Sequence, residues 1–346
     1  MPLTLLRTLE STVPHVVFGK LPNRADFVRI NATHPAATEF DEFIQNTLEQ
    51  FRTQQDWEER YDFAPVIDFC YPTRDQRWAL TGSLLSSCDQ TRRRYPLVAA
   101  LAFPGPHLGS ERRLMPIACE VFYEGLREQL CTAVDNSVEA MACRQFLESQ
   151  AALWSTGIDD LPLAGEIVKQ FMDTHHPSVL EHRLDAEHPG STLLQALLNI
   201  AFYRDFLRRF NSPSAIQVLD LPLQGARGEA ALHASAWLSL LSALSGSMEP
   251  WSGGFLLKQG RDSARLLATF GRMPEAALLL ALGGEVRDGT RLNLDAEQKT
   301  WQSHKLYAET AYALDRVLTD SALTLSQLRV FLKDASQKIA FSGNQS

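Results

Sequence analysis

The chain has no apolar run close to the ~20 residues that a membrane-spanning helix requires. Its first fifteen residues, MPLTLLRTLESTVPH, include Glu10 and no sustained apolar core. Neither a secretory leader nor membrane insertion is expected, and the reading is a cytoplasmic protein. Cysteine is sparse: Cys70, Cys88, Cys119, Cys131 and Cys143 are odd in number, and no two have C-x-x-C spacing. They read as free thiols of a reducing compartment, not as a disulfide framework or a zinc site. Positive charge is in deficit, with 33 Lys and Arg against 41 Asp and Glu, a formal net charge of −8. That balance argues against nucleic acid or an anionic membrane as the main partner.

Motifs of common catalysis are also missing. A phosphate loop, G-x-x-x-x-G-K-[ST], needs amides converging on the phosphates and a hydroxyl for magnesium. Here Gly19-Lys20 has Pro14 where the first glycine belongs and Leu21 where the hydroxyl belongs. The nucleophile elbow G-x-S-x-G and the H-E-x-x-H zinc helix are absent. Four histidines, His175, His176, His182 and His188, crowd the stretch DTHHPSVLEHRLDAEH. Histidine and carboxylate suit zinc or iron, but Pro177 interrupts any helix that would align them, and a solvated linker is the plainer reading. Asp288-Gly289 reads as a turn. No catalytic residue, cofactor or metal ligand is therefore assigned.

What is present is a globular composition, 45% hydrophobic and 21% charged over 346 residues, enough for a sizeable core. Val16–Phe18 and Phe27–Ile30 read as short strands around a Gly-Lys-Leu-Pro-Asn turn. Thr33-His34-Pro35 opens a helix, with a capping hydroxyl and an early proline, and Phe40, Phe43, Ile44, Leu48 and Phe51 give it one apolar face. APVIDF, RWALTGSLL and YPLVAALAFP read as strands, and PGPHLGSERR as a surface loop. Helices follow to about residue 155. In the second half, Ser191 or Thr192 caps a buried helix, and AIQVLDLPL, GGFLLKQG and ARLLATFG are strand-like. MPEAALLLAL is a short helix, and Thr324 and Gln327 stand at capping-box spacing before the last helix. The expected class is α/β: a mixed β-sheet covered by helices, followed by a helix-rich second half. The expected division is 1–155 as an N-terminal α/β domain, 156–190 as a linker or irregular region, and 191–346 as a helix-rich region with a few strands.

Arg92-Arg93-Arg94, in CDQTRRRYPLV, is the densest positive cluster. It suits a phosphate or an acidic partner through forked hydrogen bonds. It equally suits a soluble edge on which Asp89 pairs one arginine. Both readings stay open on the residues alone.

Two stretches together carry a resemblance. Gly19-Lys20-Leu21-Pro22-Asn23-Arg24-Ala25-Asp26-Phe27-Val28 is similar to the pattern G-K-L-P-x-R-G-D-F-V, with Ala25 in place of glycine. SSCDQTRRRYPL is similar to P-S-V-D-x-x-G-R-R-F-P-L: Ser87, Asp89, Arg93, Arg94, Pro96 and Leu97 match, Tyr95 replaces phenylalanine, and Ser86 and Arg92 replace proline and glycine. Both patterns belong to the TagF (ImpM) family of type VI secretion-associated proteins, which this chain resembles over about residues 14–150. Phe40-Asp41-Glu42-Phe43 is similar to that family's aromatic-Asp-x-aromatic helix. The stretch from Trp251 to Arg272-Met273-Pro274 is loosely similar to its tryptophan-rich strand and G-L-P helix. Residues 286–346 find no counterpart.

The resemblance implies a non-enzymatic accessory protein that represses type VI secretion after translation, by sequestering the forkhead-associated (Fha) scaffold protein. Lys20, Arg24, Asp26, Asp89, Arg93 and Arg94 are the residues expected at its partner-binding face. The alternatives are a hydrolase or phosphate-handling enzyme using Arg92–Arg94 and the histidine-rich stretch, and a structural subunit of the secretion apparatus. Oligomeric state is not legible.

Overall fold

The computed structural model describes residues 14–135, 141–155, 160–187, 190–210, 216–245, 251–259, 264–295 and 299–343; His188 and the first thirteen residues lie outside these. Among the described residues eight strands form one sheet: β1 (His15–Gly19), β2 (Val28–Ile30), β3 (Ile67–Pro72), β4 (Trp78–Leu85), β5 (Leu97–Pro104), β6 (Leu219–Leu223), β7 (Phe255–Gln259) and β8 (Ala264–Ala268). Their spatial order is β2-β1-β5-β4-β3-β7-β8-β6. Every pair is antiparallel, so the α/β class holds while the expected mixed sheet is an antiparallel one. Strand β3 of the first half pairs with β7 of the second, Asp68 opposite Leu257. Both halves of the chain therefore build a single sheet.

Helices cover both faces, which is why β3 to β5 read as near-continuous apolar runs. Alternation along β5 sends Val98, Ala100 and Ala102 to one core and Leu97, Ala99, Leu101 and Phe103 to the other. The first core is closed by α1 (Pro35–Phe51), α2 (Trp57–Asp62) and, from the second half, α11 (Glu275–Ala281). Phe40, Phe43, Ile44, Leu48 and Phe51 supply its apolar stripe, as their spacing predicts. On the opposite face stand α3 (Gly105–Leu108), α4 (Met115–Ala118), α5 (Glu120–Asp135), α6 (Met141–Ser155), α7 (Asp160–Thr174), α8 (Ser178–Glu187), α9 (Leu193–Phe210) and α10 (Arg227–Ser245). The chain ends with α12 (Lys299–Gln302), α13 (Tyr307–Leu318) and α14 (Leu325–Gly343). Among the described residues no helix is long and apolar enough to cross a membrane.

Several local expectations are met. At α14 the Gln327 N–H donates to Thr324 Oγ1 at 3.3 Å, and the Thr324 N–H donates to Gln327 Oε1 at 2.9 Å, a reciprocal capping box. Thr192, not Ser191, caps α9, accepting from the Gln195 N–H at 3.2 Å. Others are corrected. At α1 the cap is His34, whose Nδ1 accepts from the Ala36 N–H at 3.3 Å, in place of the expected threonine hydroxyl. The 156–190 stretch, expected as a linker or irregular region, holds α7 and α8. Leu161, Ala164, Val168, Phe171 and Met172 bury one face of α7, a helical spacing that the surrounding Asp, His and Pro obscured. The expected surface loop PGPHLGSERR is instead α3 and a 3₁₀ turn, Gly109–Leu114, anchored by fully buried Leu108. Its buried Arg112 donates to Gln76 Oε1 at 3.2 Å and to the Ser252 carbonyl at 2.8 Å.

A charged pair lies inside the core. Asp68, in the middle of the sheet, is fully buried and accepts from Arg127 Nε of α5 at 2.9 Å and from Ser83 Oγ at 2.7 Å. Removing one partner of such a pair strands an uncompensated charge. Arg127→Met is therefore expected to cost about 3–5 kcal/mol, whereas Asp68→Leu/Arg127→Met, which removes both charges, recovers most of that loss. Equilibrium denaturation of the two variants measures the difference.

Candidate functional site

Both signature stretches meet at one corner of the sheet. The first begins where β1 ends, at Gly19, with φ of +132°. A Cβ there would lie 2.0 Å from the Pro96 carbonyl oxygen, so the approach of β1 to the start of β5 demands glycine. The turn that follows is closed by the Arg24 N–H on the Leu21 carbonyl at 3.0 Å, with Leu21 fully buried beneath it. The second stretch is a loop entering β5. Its Asp89 N–H donates to the Arg93 carbonyl at 3.1 Å, and its Arg92 N–H to the Asp89 carbonyl at 2.9 Å. The two turns dock backbone to backbone: the Gln90 N–H reaches the Arg24 carbonyl at 2.9 Å, and Ser87 Oγ donates to the Lys20 carbonyl at 2.7 Å.

Asp89 locks this corner. Its side chain is 0% exposed. Oδ2 accepts from Lys20 Nζ at 3.0 Å and Arg93 Nε at 2.6 Å. Oδ1 accepts from the Thr91 N–H at 2.9 Å, Thr91 Oγ1 at 2.8 Å and the Arg93 N–H at 3.0 Å. Burial opposes ionisation, but the hydrogen bonds from Lys20, Thr91 and Arg93 outweigh it and hold the carboxyl well below the ordinary carboxylate range. Lys20, the lysine of the apparent phosphate loop, is thus spent on Asp89.

The helices α1 and α2 buttress the corner. Arg94 places Nε and Nη2 on the two Asp62 oxygens at 2.9 and 2.8 Å and Nη1 on Glu58 at 2.8 Å, with its guanidinium 5.6 Å from the Trp57 ring centre. Only 19% of that side chain is exposed. Tyr95 donates its hydroxyl to Asp41 Oδ1 and packs edge-on against Phe27 at 5.0 Å. Asp41 of the aromatic-Asp-x-aromatic stretch is thereby tied to the second motif. Buried Tyr61 donates to the Ser87 carbonyl at 3.0 Å and accepts from the Ser87 N–H at 3.1 Å. Burial pushes its phenol pKa up, so it stays a neutral donor.

The six expected residues are brought together but not into one role. Lys20, Asp89 and Arg94 are consumed by internal pairs. Arg24, Asp26 and Arg93 are exposed on the rim, Arg93 with 65% of its side chain accessible although its Nε holds Asp89. The three consecutive arginines do not converge on one anion: Arg93 also reaches the Ala25 carbonyl at 3.2 Å, Arg94 turns to α2, and Arg92 is exposed. Ala25 is not among the described residues of positive φ, so the turn does not need a glycine there, whereas Arg92 takes φ of +66°. A residue with a Cβ pays about 1–2 kcal/mol for that conformation. Tyr61 and the left-handed Arg92 were not read from sequence; the glycine at the Arg92 position of the similar pattern was the available signal for the latter.

The histidine-rich stretch is dispersed. His175 stacks on Phe171 at 4.2 Å, and His176 contacts the Asp320 carbonyl through Nε2 at 3.2 Å. Among the described residues no group of three or more His, Cys, Asp or Glu is placed to hold a metal ion. Gly289, after Asp288, has φ of +82° and belongs to a turn.

A carboxyl whose folded pKa is depressed stabilises the fold fully above its ordinary titration range, near pH 4, and that contribution fades as the pH falls below it. Asp89→Asn is expected to melt below the parent at pH 7, with the gap narrowing as the pH drops from about 5 toward 2. Thermal melts of both proteins across that range measure it.

Residues 16–150 match the TagF N-terminal domain, described as type VI secretion system-associated. No curated protein matches the chain. A crystal structure of PA0076 from Pseudomonas aeruginosa PAO1, at 2.05 Å resolution, is similar at 16% identity, covering 79% of this chain and 97% of that one, with a TM-score of 0.41. Residues 16–150, which hold both docked turns and the helices behind them, are thus similar to the TagF N-terminal domain, a type VI secretion system-associated domain, over about two fifths of the chain.

Proposed function

We propose that this protein is a non-enzymatic regulator of type VI secretion, working in the cytoplasm, that represses secretion after translation by sequestering the forkhead-associated scaffold protein. Its binding face is the exposed rim of the docked turns, with Arg24, Asp26 and Arg93 as contact residues. The observation that carries this reading is the division of labour within the corner. Asp89, Lys20 and Arg94 fix the backbone from inside, while charged side chains stand outward on a surface that is already ordered. A preorganised charged rim suits recognition, because little conformational freedom is lost on binding.

The test is capture of the forkhead-associated protein from lysate of the native host. The parent is expected to retain it, and Arg24→Glu/Asp26→Lys to lose it while melting within a few degrees of the parent, since neither side chain holds the buried Asp89 and exposed ion pairs contribute only about 0–1 kcal/mol. Arg94→Ala is expected to lower the melting temperature through loss of its contacts with Asp62 and Glu58. Equal capture by parent and rim variant would move the face elsewhere, and no capture by the parent would remove the partner.

A further inference from the structure

We propose that Arg92 is a recognition residue maintained at a conformational cost, and that with Arg24 and Arg93 it selects an acidic segment of a protein partner. The proposal deepens the binding reading above and rests on the same face. Four non-glycine residues in the described chain have positive φ: Asn31, Asp56, Gln76 and Arg92. Asparagine and aspartate tolerate this region. Gln76 is used inside the fold, where its Oε1 accepts from the buried Arg112. Arg92 differs from all three. It is exposed, and among the described residues its side chain has no hydrogen-bond or salt-bridge partner. Strain with no internal return points to a use outside the molecule.

The docking of the turns sets the chemistry of that use. The Gln90 N–H on the Arg24 carbonyl and Arg93 Nη2 on the Ala25 carbonyl bring the arginine-bearing turns against each other. Lys20, Arg24, Arg92, Arg93 and Arg94 stand against Asp26, Glu58, Asp62 and Asp89, a local surplus of one positive charge on a chain of net charge −8, and at the exposed rim Arg24, Arg92 and Arg93 face only Asp26. The backbone amides of Thr91 and Arg93 are already taken by Asp89. A small anion therefore finds no such amides to enter between, and the cations are offered at the rim. Carboxylates spaced along a peptide complement that arrangement.

Two probes separate this inference from the identity of the partner: a 20-residue glutamate-rich peptide and the purified forkhead-associated protein. Each is titrated at low and at physiological salt against the parent, Arg92→Gly and Arg92→Lys. Arg92→Gly is expected to raise the melting temperature by about 1–2 °C, yet to weaken peptide binding about five-fold and flatten its salt dependence. Arg92→Lys keeps most of the binding without the rise in stability. A stability gain with peptide binding unchanged, or no peptide binding by the parent, overturns the proposal. If the peptide result holds and the forkhead-associated protein does not bind, the Arg92 inference stands and the assigned partner falls.

Discussion

The buried carboxylate of Asp89 is the contact on which the corner depends. It receives hydrogen bonds from Lys20, from the backbone and hydroxyl of Thr91, and from the backbone and guanidinium of Arg93. A carboxylate removed from water is costly unless its lone pairs are met, and here both oxygens are. The lysine comes from the turn after β1 and the other donors from the loop before β5, so satisfying one charge joins segments about seventy residues apart. Gly19 permits the close approach, and the fully buried Leu21 anchors the first turn.

Around that lock the fold is built to keep the corner still. Strand β5 stands beside β1, and its entry loop is held on the far side by Tyr61, Asp62 and Glu58 of α2 and by Asp41 of α1. These helices pack on a core that also takes α11 from the second half of the chain. The later half therefore supports the TagF-like domain directly, through α11 and through β7 beside β3. The Asp68–Arg127 pair performs a similar joining on the other face, tying α5 to the middle of the sheet.

What was legible in the sequence was local. Alternation and turn residues marked β3 to β5 and the β7–β8 hairpin, the Phe40–Phe51 spacing marked α1, and Thr324 with Gln327 marked the start of α14. What was hidden depended on partners distant in sequence. Arg112 in a charged loop looks solvated until its acceptors at Gln76 and Ser252 are in place. Lys20, a poor fit to a phosphate loop, gains a role only when Asp89 is beside it. The corner itself was half legible: the motif residues were found together, but burial divides them, leaving Arg24, Asp26 and Arg93 outside and Lys20, Asp89 and Arg94 within. Arg92, a departure from the pattern and a member of the positive cluster, is the exposed member of the loop with a strained backbone.

The central claim is that the corner is internally fixed and externally used. Hydrogen–deuterium exchange of the full chain, with and without the forkhead-associated protein, tests it most directly. The account predicts that amides bound to Asp89 and the Arg93 carbonyl exchange slowly in the free protein, and that added partner protects residues 21–26 and 90–93. Rapid exchange of the corner in the free chain, or protection confined to another surface, would contradict it.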